Sequence, residues 1–190
     1  MRVVAGAAKG RRLTAPPGDD VRPTADRVKE ALFSSLQAVV PGARVLDLYA
    51  GSGSLGLEAL SRGATSVTFV ERDRRSLEHL HRNIEVVGLP GPIVLATSVD
   101  RALAEPIEGE PFDLVLADPP YRTPKAEVAA MLEELVAHLA PDATVVIERS
   151  VRDGSPAWPA GFDRGDARRY GDTALHRAQL TTGGTDGRRS

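Results

Sequence analysis

Five short apolar runs alternate with helix-patterned stretches through the middle of this chain. That alternation constrains the fold more than any other feature. The runs are residues 44–49 (RVLDLY), 66–71 (SVTFVE), 92–97 (PIVLAT), 113–117 (DLVLA) and 143–148 (ATVVIE). Residues 55–62, 73–87, 99–105 and 125–140 between them read as helices. The runs are rich in Val, Ile and Leu without clean alternation, as expected of parallel strands buried on both faces. Strand–helix alternation at this spacing predicts a doubly wound α/β sheet. The length, 190 residues, suits one such domain.

The flanks follow a different pattern. Residues 2–15 read as a small hairpin turning between Gly6 and Gly10, and Pro16, Pro17 and Gly18 then break the chain. A helix is expected from near Thr24, carrying Val28, Leu32, Leu36 and Val39 on one face and ending at Pro41-Gly42. Residues 164–180 read as an antiparallel hairpin closing the sheet edge. The expected division is a basic hairpin extension over 1–22, the main domain over 23–182 and a disordered tail over 183–190.

Charge is unevenly spread. Residues 1–30 hold seven Lys/Arg against four Asp/Glu, and residues 149–190 hold eight Arg against five Asp, although the whole chain carries −2. Cationic ends on an acidic body suggest a polyanionic partner, with solubility as the plainer reading. The chain has no Cys. That removes disulfides, zinc ribbons and a Cys nucleophile. His79 and His81 are two apart and share no helix face, so no metal site is expected. The start, MRVVAGAAKGRR, lacks the apolar core of a signal peptide, and no run has the length of a membrane span. A cytoplasmic protein with no membrane partner is expected. Trp158, between prolines, is expected to pack against the closing hairpin.

The first site follows the first strand. Asp47-Leu-Tyr49-Ala50-Gly51-Ser52-Gly53-Ser-Leu-Gly56 places GxGxxG between a strand and a helix. Small residues let backbone approach a ligand, and the helix start offers free N–H groups. Glu71 ends the next strand, where an acid reaches a ribose diol. The pattern fits a dinucleotide or S-adenosylmethionine (SAM). Asp47 favours SAM, because a carboxylate repels pyrophosphate and attracts an ammonium. An acid tied up by loop N–H groups remains the ordinary structural reading of Asp47.

The second site is Asp118-Pro119-Pro120-Tyr121, directly after the fourth strand. In an open sheet, strand carboxyl ends face the ligand crevice, so this loop is expected across from the glycines. The prolines hold the chain extended. Asp118 and the Pro119 carbonyl then offer two acceptors to an amine, and Tyr121 offers a stacking face. This suits methylation of an exocyclic amine on a base drawn out of its stack.

Together these residues resemble class I SAM-dependent methyltransferases of the amino-methylating branch. Gly10-Arg11-Arg12-Leu13, Arg22-Pro-Thr24-Ala-Asp-Arg27-Val-Lys-Glu-Ala-Leu-Phe33, Asp47–Gly53, Leu57–Ala64, Ala117–Tyr121 and Tyr170-Gly-Asp-Thr173 occur in that order. The order resembles the bacterial family of small-subunit (16S) rRNA guanine-N2 methyltransferases, over about residues 2–180. The resemblance implies a class I methyltransferase Rossmann-like fold: a mostly parallel seven-stranded sheet with a C-terminal antiparallel hairpin. It implies Asp118, Pro119, Pro120 and Tyr121 as the catalytic loop. Asp47, Tyr49, Ala50, Gly51, Ser52, Gly53, Glu71 and Arg72 would bind SAM. The adenine contact would come from the Ser98 side chain, the Val99 backbone or Asp100. Lys9, Arg11, Arg12, Arg22, Thr24 and Arg27 are candidate contacts to rRNA, naked or in the assembled small subunit. Each cation is equally readable as a solvated charge, and Thr24 as a helix cap. A monomer is expected.

Three other readings stay open. The amine could be adenine N6 or cytosine N4. The same glycine pattern serves NAD-dependent oxidoreductases. A non-catalytic RNA-binding assembly factor would keep the surface without the chemistry.

Overall fold

The computed structural model describes residues 1–16, 23–165 and 167–181. Five helices and eight strands follow in order: α1 (Pro23–Ser35), β1 (Arg44–Leu48), α2 (Ser54–Ser61), β2 (Ser66–Glu71), α3 (Arg74–Val87), β3 (Pro92–Ala96), α4 (Val99–Leu103), β4 (Phe112–Ala117), α5 (Lys125–Leu135), β5 (Leu139–Ser150), β6 (Phe162–Arg164), β7 (Arg168–Tyr170) and β8 (Thr173–Leu180). They form one sheet in the order β3-β2-β1-β4-β5-β8-β6, with β7 also on β8. The ladders from β3 to β5 are parallel, and β8 pairs antiparallel with β5. The chain runs outward from β1 to β3, then crosses back to β4. The strand order therefore reverses between β1 and β4, which opens a crevice at their carboxyl ends.

The near-continuous apolar runs arise because both sheet faces are covered. Val45, Phe69, Leu114 and Val146 pack on one face with Phe33, Leu36, Leu57 and Leu80. Leu46, Val70, Val115 and Ile147 pack on the other with Leu103, Leu132 and Leu135. Trp158 joins the second cluster and lies 5.5 Å from the Phe162 ring, as expected of a packing residue.

Three element boundaries and the strand count differ from expectation. Helix α1 stops at Ser35, and turns closed by Leu36 and Val39 carry the chain to Pro41. Helix α5 stops at Leu135, and β5 starts at Leu139 rather than 143. Pro141 lacks an N–H and Asp142 has φ 61°, so the β4–β5 register shifts there instead of ending the strand. The sheet has eight strands, not seven. The expected hairpin over 164–180 is three strands, because both β6 and β7 pair with β8, and Gly165 N–H bonds Arg177 O at the end of β6. The N-terminal hairpin forms as expected: Leu13 N–H bonds Met1 O, Val3 N–H bonds Arg11 O and Gly10 N–H bonds Val3 O around an antiparallel Arg2–Arg12 bridge.

That N-terminal arm is docked by side chains of α2. Glu58 is 0% exposed and accepts from Val4 N–H at 2.7 Å and Ala5 N–H at 3.0 Å. Ser61 Oγ accepts from Ala8 N–H at 2.9 Å, and Ser61 O accepts from Ala7 N–H at 2.7 Å. Gly6, at φ 81°, lies so close that a Cβ would sit 1.7 Å from Ser61 O. Val3, Ala8 and Leu13 are buried in the main core. The expected tail over 183–190 lies outside the described residues.

Candidate active site

A cleft of about 1890 Å³ opens at the carboxyl ends of β1, β2, β4 and β5. Its walls include Asp47, Tyr49, Ala50, Gly51, Ser52, Glu71, Arg72, Ser98, Val99, Asp100 and the whole Asp118–Tyr121 loop. Ligand pockets for one drug-sized molecule span about 300–1,000 Å³, so this cleft has room for two ligands side by side. Gly53 is buried beneath the wall rather than in it.

The glycine loop is built by close packing. Tyr49 follows β1 with φ 59°, a left-handed conformation costing about 1–3 kcal/mol for a non-glycine residue. A Cβ on Gly56 would lie 2.3 Å from Phe69 Cε1 and 2.9 Å from Asp47 Oδ2. Only glycine lets α2 sit that close to the sheet. The approach also delivers Gly56 N–H to Asp47 Oδ2 at 2.9 Å. Asp47 is thus tied to a loop N–H, its plainer reading, yet it also faces the cleft. Burial pushes its pKa up to about 8, with the Gly56 bond opposing and the charges of Asp118 and Glu71 adding to the rise. A carboxyl in that state gains from a cationic ligand group.

Glu71 takes three backbone bonds at 2.7 Å. Gly51 N–H donates to Oε2, while Arg72 and Asp73 N–H donate to Oε1. Oε1 thus accepts two bonds, and Oε2 keeps a further lone pair for a ligand hydroxyl. Ser98 precedes α4, and its hydroxyl donates to Asp100, holding that carboxyl below its ordinary range.

Opposite, Asp118 N–H bonds Leu48 O at 3.4 Å, which sets the Asp118–Tyr121 loop beside the end of β1. Pro119 is buried, Asp118 and Pro120 are exposed, and Tyr121 is 64% exposed despite its size. The loop is held from below by Arg149 of β5, which is 4% exposed. Its Nη2 donates to Thr123 O at 2.9 Å, its Nη1 approaches Pro120 O at 3.5 Å, and Asp153 Oδ2 pairs with Nη2 at 2.9 Å. Arg149 is not legible as a site residue in the sequence, since IERS reads as a plain strand end. Asn83 escapes sequence reasoning too. Fully buried on α3, it donates at 2.8 Å to both Thr14 O and Ser52 O and accepts from Thr14 N–H. It joins the N-terminal arm to the glycine loop.

The candidate RNA contacts separate. Lys9 and Arg12 are exposed on the arm, and Arg27 of α1 lines the cleft. Arg11 Nη1 donates to Val86 O and Val87 O and caps the carboxyl end of α3, a structural use beside its candidate one, and the residue stays exposed. Thr24 lies in the first turn of α1, its side chain outside the described part, and Arg22 lies outside the described residues. Among the described residues, no group of three His, Cys, Asp or Glu is placed to hold a metal, and no helix is long and apolar enough to cross a membrane.

The family model described as Conserved hypothetical protein 95 matches residues 1–179. Ribosomal RNA small subunit methyltransferase D of Escherichia coli K12 is 38% identical over 162 residues, covering 85% of this chain and 81% of that protein. The protein of the same name from Haemophilus influenzae is 38% identical over 151 residues, 78% of each chain. The solved structure of Escherichia coli yhhF superposes with TM-score 0.84 at 32% identity, over 96% of this chain and 99% of that one. Magnesium protoporphyrin IX methyltransferase from Synechocystis, solved with bound SAM, superposes with TM-score 0.67 at 17% identity, covering 85% and 82%. That last likeness is one of fold, and it is the class I methyltransferase fold. With a match across residues 1–179 and relatives at this identity, the chain belongs to the Conserved hypothetical protein 95 family.

Proposed function

We propose that this protein transfers a methyl group from SAM to the exocyclic N2 of a guanine in small-subunit (16S) rRNA, acting as a cytoplasmic monomer. One observation carries the chemistry. The Asp118–Tyr121 loop and the glycine loop face a single cleft where the strand order reverses. The relatives named for small-subunit rRNA methylation support the substrate, and the family resemblance that the Arg22–Phe33 block helps to carry implies guanine within it.

The residues present fit SAM. Asp47 suits its ammonium, Glu71 its ribose diol, and Ser98 to Asp100 the edge of its adenine. Bound there, SAM supplies a methyl group made electrophilic by a sulfonium. Asp118 and the Pro119 carbonyl accept from the target amine, whose lone pair is otherwise drawn into the ring, and orient it for attack. Tyr121 receives the flipped base on its exposed ring. In that transfer the C–N bond would form as the S–C bond breaks, with the electron pair left on sulfur. The methylated nitrogen is then acidic, and its proton leaves by way of Asp118 to water. Positioning and electrostatics thus supply the catalysis.

The test is mass spectrometry of rRNA nucleosides from a strain lacking the protein, followed by restoration in vitro with purified protein and SAM. Loss and return of one N2-methylguanine are expected. A lost methyladenine or methylcytosine would redirect the reading to N6 or N4. RNA binding with no consumption of SAM would point to the assembly factor.

A further inference from the structure

Glu148 has no part in the chemistry above. It sits near the carboxyl end of β5, opposite Leu175 of β8. Its side chain lines the same cleft as Asp118 and Tyr121. The Thr173 hydroxyl lies beside it and favours its charged form, and that hydroxyl stands 3.5 Å from Tyr121 Oη. Tyr121, Thr173 and Glu148 therefore form one polar chain from the stacking ring to a carboxyl group. Thr173 ends the Tyr170-Gly-Asp-Thr173 stretch, for which the site has given no other use.

A carboxylate there has narrow chemistry. Glu148 is half-buried, and burial raises its pKa. Its charge is costly without donors, so it gains most from an N–H brought by a ligand. The amino-bearing bases differ in what adjoins the amine. Guanine carries N1–H, a donor, beside its N2 amine. Adenine has an acceptor, N1, beside N6, and cytosine has an acceptor, N3, beside N4. A carboxylate facing that neighbouring atom attracts guanine and repels the other two, so attraction and rejection come from one group.

We propose that Glu148 is the specificity-determining residue of this site, accepting from guanine N1–H while Asp118 and the Pro119 carbonyl hold the N2 amine. Thr173 positions it. The proposal rests on the guanine-N2 reading and names the group that enforces it.

The test compares bases within one protein. Small-subunit rRNA is assembled by splinted ligation with guanine, 2-aminopurine or 2,6-diaminopurine at the methylated position. Both analogues keep the 2-amine but present a lone pair at N1. Wild-type protein should methylate guanine roughly 10²-fold faster than either analogue in single turnovers. Glu148→Gln can turn an amide N–H toward that lone pair, so its rates for the three bases should fall within about threefold of one another. Thr173→Val should narrow the ratio partway. Because the readout is a ratio, a reduced folded fraction cancels. A guanine-to-analogue ratio unchanged in Glu148→Gln overturns the proposal and leaves guanine-N2 methylation standing. Wild-type protein that makes no N2-methylguanine overturns the underlying reading, and this one with it.

Discussion

Arg149 Nη2 donates to the Thr123 carbonyl at 2.9 Å, so a buried cation on β5 fixes the far end of the loop that begins at Asp118. With Nη1 near Pro120 O, the guanidinium spans the stretch carrying Tyr121. A loop of extended prolines has few backbone donors of its own, and this side chain supplies them from outside. Arg149→Ala leaves those carbonyls and Asp153 without their donor. Breaking such a buried pair costs about 3–5 kcal/mol. The expected result is a lower Tm and a fall in the methyl-transfer rate, with Arg149→Lys intermediate in both. Thermal melts and single-turnover assays check it, and full activity in Arg149→Ala would show that the loop holds its shape without this side chain.

Glu71 is expected to be the ribose contact, but its three backbone bonds give it a second duty in shaping the loop. Glu71→Ala should therefore weaken SAM binding by more than the about 1.5–3 kcal/mol of a charge-assisted bond, because Gly51 N–H is also deprived of its acceptor. Glu71→Gln keeps an acceptor and should recover part of the affinity. Calorimetric titration with SAM is the measurement. Equal affinity in Glu71→Ala and wild type would remove Glu71 from the cofactor site.

Asp47 is expected to couple cofactor binding to pH. Its folded pKa, about 8, lies above the ordinary carboxyl value of 3.8. The folded empty protein therefore binds the extra proton, and its stability falls as pH rises from about 4 to about 8. Asp47→Asn retains an acceptor for Gly56 N–H without that cost. It should melt higher than wild type at pH 8, by about 2–4 °C for each kcal/mol recovered, and should bind SAM more weakly for want of a carboxylate beside the ammonium. Wild-type binding near pH 7 should release protons, visible as buffer-dependent calorimetric heats. Identical melting and binding in the two proteins would detach Asp47 from both roles.

The N-terminal arm, a candidate RNA grip by its charge, carries a second burden in the fold. Its backbone hangs on Glu58 and Ser61, Lys29 Nζ bonds Arg2 O at 2.7 Å, and Asn83 ties Thr14 to the glycine loop. Removing residues 1–12 should thus lower stability and SAM affinity together, confounding any RNA measurement. Lys9→Ser with Arg12→Ser is the cleaner test, since both side chains are exposed. The double variant should melt like wild type. Its log–log salt slope for RNA binding should be shallower by about 0.7 for each phosphate that is no longer neutralised. An unchanged slope would leave these two cations as solvated charges.

Both halves of the cleft are legible in the sequence because each is local. A strand end, three glycines and a helix start lie within Asp47–Gly56, and Asp118–Tyr121 directly follows a strand. What escapes is long-range. Asn83 meets Thr14 across 69 residues, and Glu58 meets Val4 across 54. No periodicity marks such a buried polar residue, because its helix spacing is the same as that of an apolar one. The early start of β5 is hidden by Pro141, which reads as a breaker but sits at a register shift. The third C-terminal strand is hidden because β6 and β7 are only three residues each.

Asp118 and Tyr121 carry the sharpest expectation for the chemistry. Asp118→Ala would remove one of the two acceptors proposed to orient the amine, and removing such an electrostatic partner costs roughly 10²–10³ in rate. Asp118→Asn should be milder, since an amide oxygen still accepts. Tyr121→Phe keeps the stacking ring and gives up only the long 3.5 Å approach to Thr173, so its rate should fall little. Tyr121→Ala should fall much further, because nothing then receives the flipped base. SAM affinity should be nearly constant across the Tyr121 variants, whose changes fall on the base side of the cleft. Single-turnover transfer from labelled SAM to undermethylated small subunits separates these cases. A wild-type rate in Asp118→Ala would sink the amine-orienting mechanism, whatever the fold.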